Sequence, residues 1–120
     1  MSDCLFCKII RGDIPASKVY ENEHVLAFRD ISPVAPQHIL LIPKTHVGSV
    51  GELEPEHAMA MGELFLAARQ VAEAQGLGES GYRLVINNGP DAMQTVFHIH
   101  LHLLGGQEMG WPPFSKRLED

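Results

Sequence analysis

The chain has no apolar run approaching the roughly 18 residues that a membrane helix needs, so no membrane span is expected. Positive charge is in short supply. The 9 Lys and Arg face 15 Asp and Glu, for a formal net charge of −6. That balance argues against nonspecific binding to long nucleic acids, whose phosphates attract clustered cations. It leaves room for a single nucleotide, which local donors can hold. The N-terminal stretch carries Asp3 early and lacks the apolar core of a secretory leader, so export is not expected. The glycine-rich fingerprints of dinucleotide and P-loop sites are missing. Alternating strand–helix units are missing too, which excludes a doubly wound nucleotide fold. There is no internal repeat and no low-complexity segment.

Cysteine is also scarce. Its 2 copies sit together in Cys4-Leu5-Phe6-Cys7. Without export, a structural disulfide is not expected. A redox C-x-x-C normally follows a strand and opens a helix, and nothing precedes this one. Half a zinc site needing two further ligands, or a pair of unremarkable thiols, are the readings that remain.

The 120 residues fit one domain, 1–120, with an extended tail from about residue 105. A chain of this size buries about two thirds of its unfolded surface, enough for a core without staples. Lys8 to Gly12 reads as a short helical turn closed by glycine. Lys18–Glu21 and Val25–Arg29 read as a β-hairpin, and His38–Ile42 as an apolar strand. Lone His38 at its head reads equally as a capped core histidine. Ser49-Val50-Gly51-Glu52 resembles a capping box. From Pro55, Met59, Met61, Leu64, Leu66, Ala67, Ala68 and Val71 recur at helical spacing, and Gly76 and Gly78 stop the helix. Tyr82–Ile86 is a strand, and Gln94–Leu104 another. Strands on both sides of one long helix predict an antiparallel α+β sheet.

The second of those strands holds His98-Ile99-His100-Leu101-His102. At a period of two, all three imidazoles share one face while Phe97, Ile99, Leu101 and Leu103 fill the other. The row reads as a solvated face, a metal site, or phosphate chemistry with one ring as nucleophile. The outer two rings sit about 13 Å apart along a strand, so different rings are expected to do different jobs.

His98-Ile-His100-Leu-His102-Leu-Leu matches the histidine triad signature, histidines alternating with apolar residues and closed by two more. Lys8-Ile9-Ile10, Ile14-Pro15, Ala27 through Pro33, His38, Pro43-Lys44-Thr45-His46, Gly81-Tyr82-Arg83, Asn87, Gln94 through Phe97 and Trp111-Pro112-Pro113 follow in the same order. From about Cys4 to Pro113 the chain resembles the Hint branch of the histidine triad (HIT) nucleotide-binding proteins. The Trp-Pro-Pro tail sets that branch apart from the dinucleoside polyphosphate hydrolases.

The resemblance implies a HIT-like fold: a five-stranded antiparallel sheet, one long and one short helix, and a homodimer with a continuous sheet. It implies a cytoplasmic hydrolase of purine nucleoside phosphoramidates, of the adenosine 5'-monophosphoramidase type, that acts through a nucleotidyl-histidine and requires no cofactor for catalysis. Its ligands would be purine nucleoside monophosphates and their phosphoramidates. His38, His98, His100 and His102 match the family's catalytic histidines. Among them His100 is the nucleophile, His102 the ring on the phosphate and His38 part of a proton relay. For the outward nitrogen of His100 to carry a lone pair, its other nitrogen must donate a proton, for instance to a backbone carbonyl. Gln94 and Thr95 match the phosphate and leaving-group positions, with a solvated loop glutamine as the plain alternative. Asp30 matches the acid that takes both ribose hydroxyls, and Asn87 a second sugar contact or a turn former. Phe6, Ile9, Phe28 and Ile31 match an apolar base slot, or plain core. Trp111 matches a residue reaching the partner subunit's site. Cys4, Cys7, His46 and His98 match a closed, structural zinc site found in some bacterial relatives. Ala92-Met93 stands where many relatives carry two glycines beside the phosphate, and Met93 is expected to reshape the leaving-group side. Dinucleoside polyphosphate hydrolysis and a non-enzymic nucleotide-binding regulatory module are the rival readings. A free-standing metalloenzyme is disfavoured because no acidic partner is evident beside the triad.

Overall fold

The computed structural model describes residues 4–113. Among them, α1 spans Leu5–Arg11, β1 Lys18–Glu21, β2 Val25–Arg29, β3 Gln37–Pro43, α2 Ala58–Ala74, β4 Tyr82–Val85 and β5 Leu101–Gly105. Short 3-10 turns lie at Val50–Glu52, Pro55–His57 and Pro90–Ala92. The strands form one 5-stranded sheet in the order β1-β2-β3-β5-β4, with every neighbouring pair antiparallel. This is the expected α+β sheet. No helix of the described residues is long and apolar enough to cross a membrane. The tail beyond Pro113 lies outside the described residues.

Alternation along the central strands builds two apolar layers. Val25, Ala27, Ile39, Leu41, Leu101 and Leu103 face α2 and belong to one buried cluster with it. Leu26, Phe28, Leu40 and Ile42 face the other way and pack with Phe6 and Ile9 of α1. In α2 the buried residues are Leu64, Ala67, Ala68, Val71 and Ala72. That i, i+3, i+4, i+7, i+8 stripe is a single helix face. Arg29 ties the end of α2 to the sheet, donating to Gln37 Oε1 at 3.1 Å and Gln75 Oε1 at 3.0 Å.

The structure corrects three local expectations. Met59 and Leu66 are not on the buried face of the long helix but 65% and 59% exposed, because the stripe is set by Leu64 and Ala67 and they fall on its far side. The capping box is not at Ser49–Glu52, where the Ser49 side chain makes no cap hydrogen bond; it joins Glu54 and His57 ahead of α2. The histidine strand is shorter than Gln94–Leu104. β3 pairs with β5 only as far as Leu41 opposite Leu101. Upstream of that point the chain leaves the ladder: Ile99 N–H donates to the Val47 carbonyl at 2.8 Å and Gln94 Nε2 to the Gly48 carbonyl at 2.8 Å. Phe97, expected in the core, is 60% exposed on that segment.

Candidate active site

On the sheet face away from α2, α1 leaves a cavity of about 430 Å³. Its walls are mainly apolar. All four expected base-slot residues, Phe6, Ile9, Phe28 and Ile31, line it. Phe6 and Phe28 are nearly buried and meet edge to face, ring centroids 5.8 Å apart. Ile31 stands at the rim, 97% exposed. The polar groups on the cavity are Asp30, Thr95, His100 and His102. Leu40 and Val96 also line it. Leu40 was legible, since it alternates with His38 on β3; Val96 sits outside regular structure and gave no such signal.

Other expected site residues lie elsewhere. Gln94 is neither solvated nor on the cavity. It is buried, its Nε2 donating to the carbonyls of Gly48 and Val96 and its Oε1 accepting from Gly89 N–H at 2.9 Å. It therefore braces the 89–94 loop. Met93 in that loop is 75% exposed and holds φ 64°, ψ 36°. It is the one non-glycine residue with positive φ among those described, where a side chain is strained and glycine is not. Asn87 is half-buried just past β4 and does not line the cavity. Trp111 is 80% exposed, with the Arg83 guanidinium 5.8 Å from its ring centroid.

The triad rings do three different jobs, and backbone groups decide which. A carbonyl oxygen only accepts, so each ring nitrogen facing one must carry a proton. His98 Nε2 donates to the Pro43 carbonyl at 2.8 Å, leaving its Nδ1 with a lone pair. His100 Nδ1 donates to the His98 carbonyl at 2.9 Å, leaving Nε2 with the lone pair a nucleophile needs. His38 Nδ1 accepts from Val34 N–H at 3.1 Å, so the proton of the neutral ring is on Nε2. That nitrogen donates to His102 Nδ1 at 2.9 Å. The proton of His102 therefore sits on Nε2, which is buried and has no hydrogen-bond partner. A buried donor without an acceptor is costly, and here it belongs to a ring that lines the cavity. Asp30 Oδ2 lies 3.4 Å from His38 Nε2, while Oδ1 accepts from Ser32 N–H at 2.7 Å. The triad does have an acidic neighbour, contrary to the sequence reading: the turn after β2 folds Asp30 back onto β3. Asp30, His38 and His102 are close enough to be considered as metal ligands, yet the proton chain from Val34 already uses the nitrogens that would face an ion.

His98 turns away from the cavity, correcting its expected place among the catalytic rings. Its Nδ1 lies 3.3 Å from Cys4 Sγ, 3.6 Å from Cys7 Sγ and 3.1 Å from His46 Nδ1. Cys7 Sγ lies 3.4 Å from His46 Nδ1. The four ligand atoms all fall within 4.8 Å of one another. Two sulfurs and two imidazole nitrogens suit a tetrahedral ion of the zinc type. The hydrogen bond to Pro43 leaves the His98 lone pair on the nitrogen that faces the sulfurs, as a metal ligand requires. The residues therefore fit a metal ion.

Residues 11–109 match the HIT domain family. The chain belongs to the HIT family, in its Hint branch. It is 54% identical over 114 residues to the 14 kDa zinc-binding protein of Zea mays, covering 93% of this chain and 88% of that one. It is 50% identical over 114 residues to Adenylylsulfatase HINT1 of Arabidopsis thaliana, covering 93% of this chain and 77% of that one. A HIT family hydrolase of Legionella pneumophila Philadelphia 1 superposes with TM-score 0.91 at 48% identity, covering 93% of this chain and all of that chain, 100%. The cysteines lie ahead of the segment that defines the HIT domain, on a helix that caps it.

Burial makes three histidines of this HIT protein, His98, His102 and His38, acid-sensitive. It pushes His98 and His102 down to about 4, with His100 beside both adding to the effect, and it lowers His38, against the pull of Asp30. As pH falls below 6.5 the unfolded chain takes up protons that the folded rings refuse. Stability from these rings is thus complete above pH 6.5 and drains away toward pH 4. Each ring contributes a slope of up to about 1.4 kcal/mol per pH unit in that window. Denaturant titrations of metal-free protein at pH 7, 5.5 and 4.5 should show stability falling with pH, and His102→Gln should remove up to about 1.4 kcal/mol per pH unit of that slope. An unchanged slope in the variant would contradict the assignment for His102.

Proposed function

We propose that this HIT protein is a purine nucleoside phosphoramidate hydrolase that works through a nucleotidyl-histidine on His100. The observation that carries the reading is that two rings lining one apolar cavity carry complementary nitrogens: a lone pair on His100 Nε2 and an N–H on His102 Nε2 that has no hydrogen-bond partner. A phosphate brought between them meets a nucleophile at phosphorus and a hydrogen bond at oxygen. The flat aromatic and aliphatic walls suit a purine without discriminating strongly between bases, and Asp30 at the same cavity can accept from the ribose hydroxyls.

The chemistry balances in two steps. An anionic phosphate favours adding a proton to the His38–His102 pair. His100 Nε2 bonds to the α-phosphorus as the P–N bond breaks, and the departing amine takes that proton. Water then attacks phosphorus, His100 leaves as the neutral ring, and the water proton returns to the pair. The products are nucleoside monophosphate and amine. We assign the Cys4-Cys7-His46-His98 cluster to zinc: when bound, the ion supplies a closed four-ligand crosslink with no open position for substrate. Cysteines held in this way suit a reducing compartment such as the cytoplasm.

The relative named an adenylylsulfatase favours a second substrate of the same kind, adenylyl sulfate, in which sulfate replaces the amine as leaving group. The β4 edge of the sheet, the outward Met59 and Leu66 of α2 and the exposed Trp111 support a homodimer with a continuous sheet.

The direct test is to quench adenosine phosphoramidate turnover in alkali, where a phosphorus–histidine bond survives, and map the adduct. Adenylyl on the peptide containing His100 supports the reading. Turnover with no adduct there removes it. Binding of adenosine monophosphate without turnover of phosphoramidate, adenylyl sulfate or dinucleoside polyphosphate leaves the regulatory-module reading.

A further inference from the structure

Helix α1 carries two kinds of residue. Cys4 at its N-cap and Cys7 in its first turn belong to the metal cluster, while Phe6 and Ile9 wall the nucleotide cavity. With 7 residues it is too short to hold itself. Its buried contacts with the sheet are those of Phe6 and Ile9 with Leu26, Phe28, Leu40 and Ile42. Its position therefore depends on a few apolar side chains and on what grips Cys4 and Cys7.

Two physical routes run from that grip to the nucleophile. The Phe6 ring meets the His98 ring at 5.8 Å and the His100 ring at 5.1 Å, edge-on to both. It is wedged between a metal ligand and the nucleophile. The second route is backbone. His98, whose ring is the metal ligand, offers the carbonyl that accepts His100 Nδ1–H. A His98 held by its ring keeps that carbonyl in place and so keeps the lone pair of His100 on Nε2.

We propose that the Cys4-Cys7-His46-His98 cluster and the nucleotide cavity are energetically coupled through Phe6 and His98, so that metal and nucleotide each tighten the binding of the other. The proposal rests on the zinc and nucleotide assignments above and adds that neither site is independent. Phe6 and His98 become positioning residues, acting on the reaction through α1 and His100. Linkage requires the coupling to be reciprocal and equal in both directions.

The test measures both directions on the whole chain. Zinc affinity is obtained by competition with a chromophoric chelator, with and without saturating adenosine monophosphate. Nucleotide affinity is obtained by calorimetry on zinc-loaded and metal-stripped protein, with far-UV circular dichroism on each. The expected result is the same factor in both, about tenfold. Phe6→Leu should bring the factor close to one, read within the variant as the ratio of its zinc affinities with and without saturating nucleotide, so that a change in either affinity alone cancels. If zinc and nucleotide both bind and neither affects the other, the coupling is wrong and the proposed function stands. If zinc-loaded protein does not bind the nucleotide, the functional reading fails and the coupling with it. Loss of the far-UV signal on stripping would show that the metal holds the whole fold rather than the pocket, and would overturn the proposal. Full coupling in Phe6→Leu would overturn the route assigned to it.

Discussion

On the proposed reading, replacing His100 with alanine should lower turnover of an adenosine phosphoramidate by at least about 10³-fold and leave adenosine monophosphate bound within a few-fold of wild type. The size follows from the role: when a nucleophile is removed, what remains is binding and electrostatics, which supply only a residual rate. The sparing of binding follows from the site. On the proposed reading the base would lie against Phe6, Ile9 and Phe28 and the ribose against Asp30, which line the cavity from α1, from β2 and from the turn after β2 rather than from the His100 segment. Alanine leaves space beside Phe6, so a melting curve belongs with the kinetics. Phosphoramidate turnover and monophosphate binding together separate three outcomes. Lost turnover with retained binding assigns the nucleophile. Retained turnover removes His100 from that role. Binding by both proteins with turnover by neither makes the chain a nucleotide-binding module, and Met93, strained in the 89–94 loop, the first residue to change.

Much of the fold was legible because the central strands, Val25–Arg29 and His38–Ile42, are short apolar runs bounded by turns; they are buried on both faces, against α2 on one side and α1 on the other, and alternate residues sharing a face put His38 and His102 on one surface. The gathering of Cys4, Cys7, His46 and His98 was readable only by resemblance, since nothing local links residues so far apart. What the sequence could not carry are contacts made by main-chain atoms. The Val34 amide, the Pro43 carbonyl and the His98 carbonyl set the tautomers of three rings, and a peptide group looks alike at every position. The backbone bonds of the Gln94 side chain were hidden for the same reason. The helix face of Met59 and Leu66 misled because methionine and leucine fit either side of a helix when a dimer partner or solvent lies beyond.

If the cluster holds zinc as proposed, replacing Cys7 with serine should reduce copurified zinc below about a tenth of an equivalent and lower the melting temperature by about 10 °C or more. A ligand at a thousand times its dissociation constant stabilises by about 4 kcal/mol, and a domain of this size moves several degrees per kcal/mol. Serine retains the shape of the side chain and removes the thiolate, so loss of packing is a small part of the effect. Cys7 is the better choice of the two, because Cys4 Sγ also accepts from Cys7 N–H at 3.4 Å and caps α1. A chelator supplies the control. It should bring wild type down to the melting temperature of the variant and leave the variant unchanged. If both drop equally, the loss comes from something other than the metal. If the variant retains a full equivalent of zinc, the ion is bound elsewhere, and Asp30, His38 and His102 become the place to look. That outcome would also change the chemistry of the cavity, because an ion there would displace the proton chain that puts the unpartnered N–H on His102 Nε2.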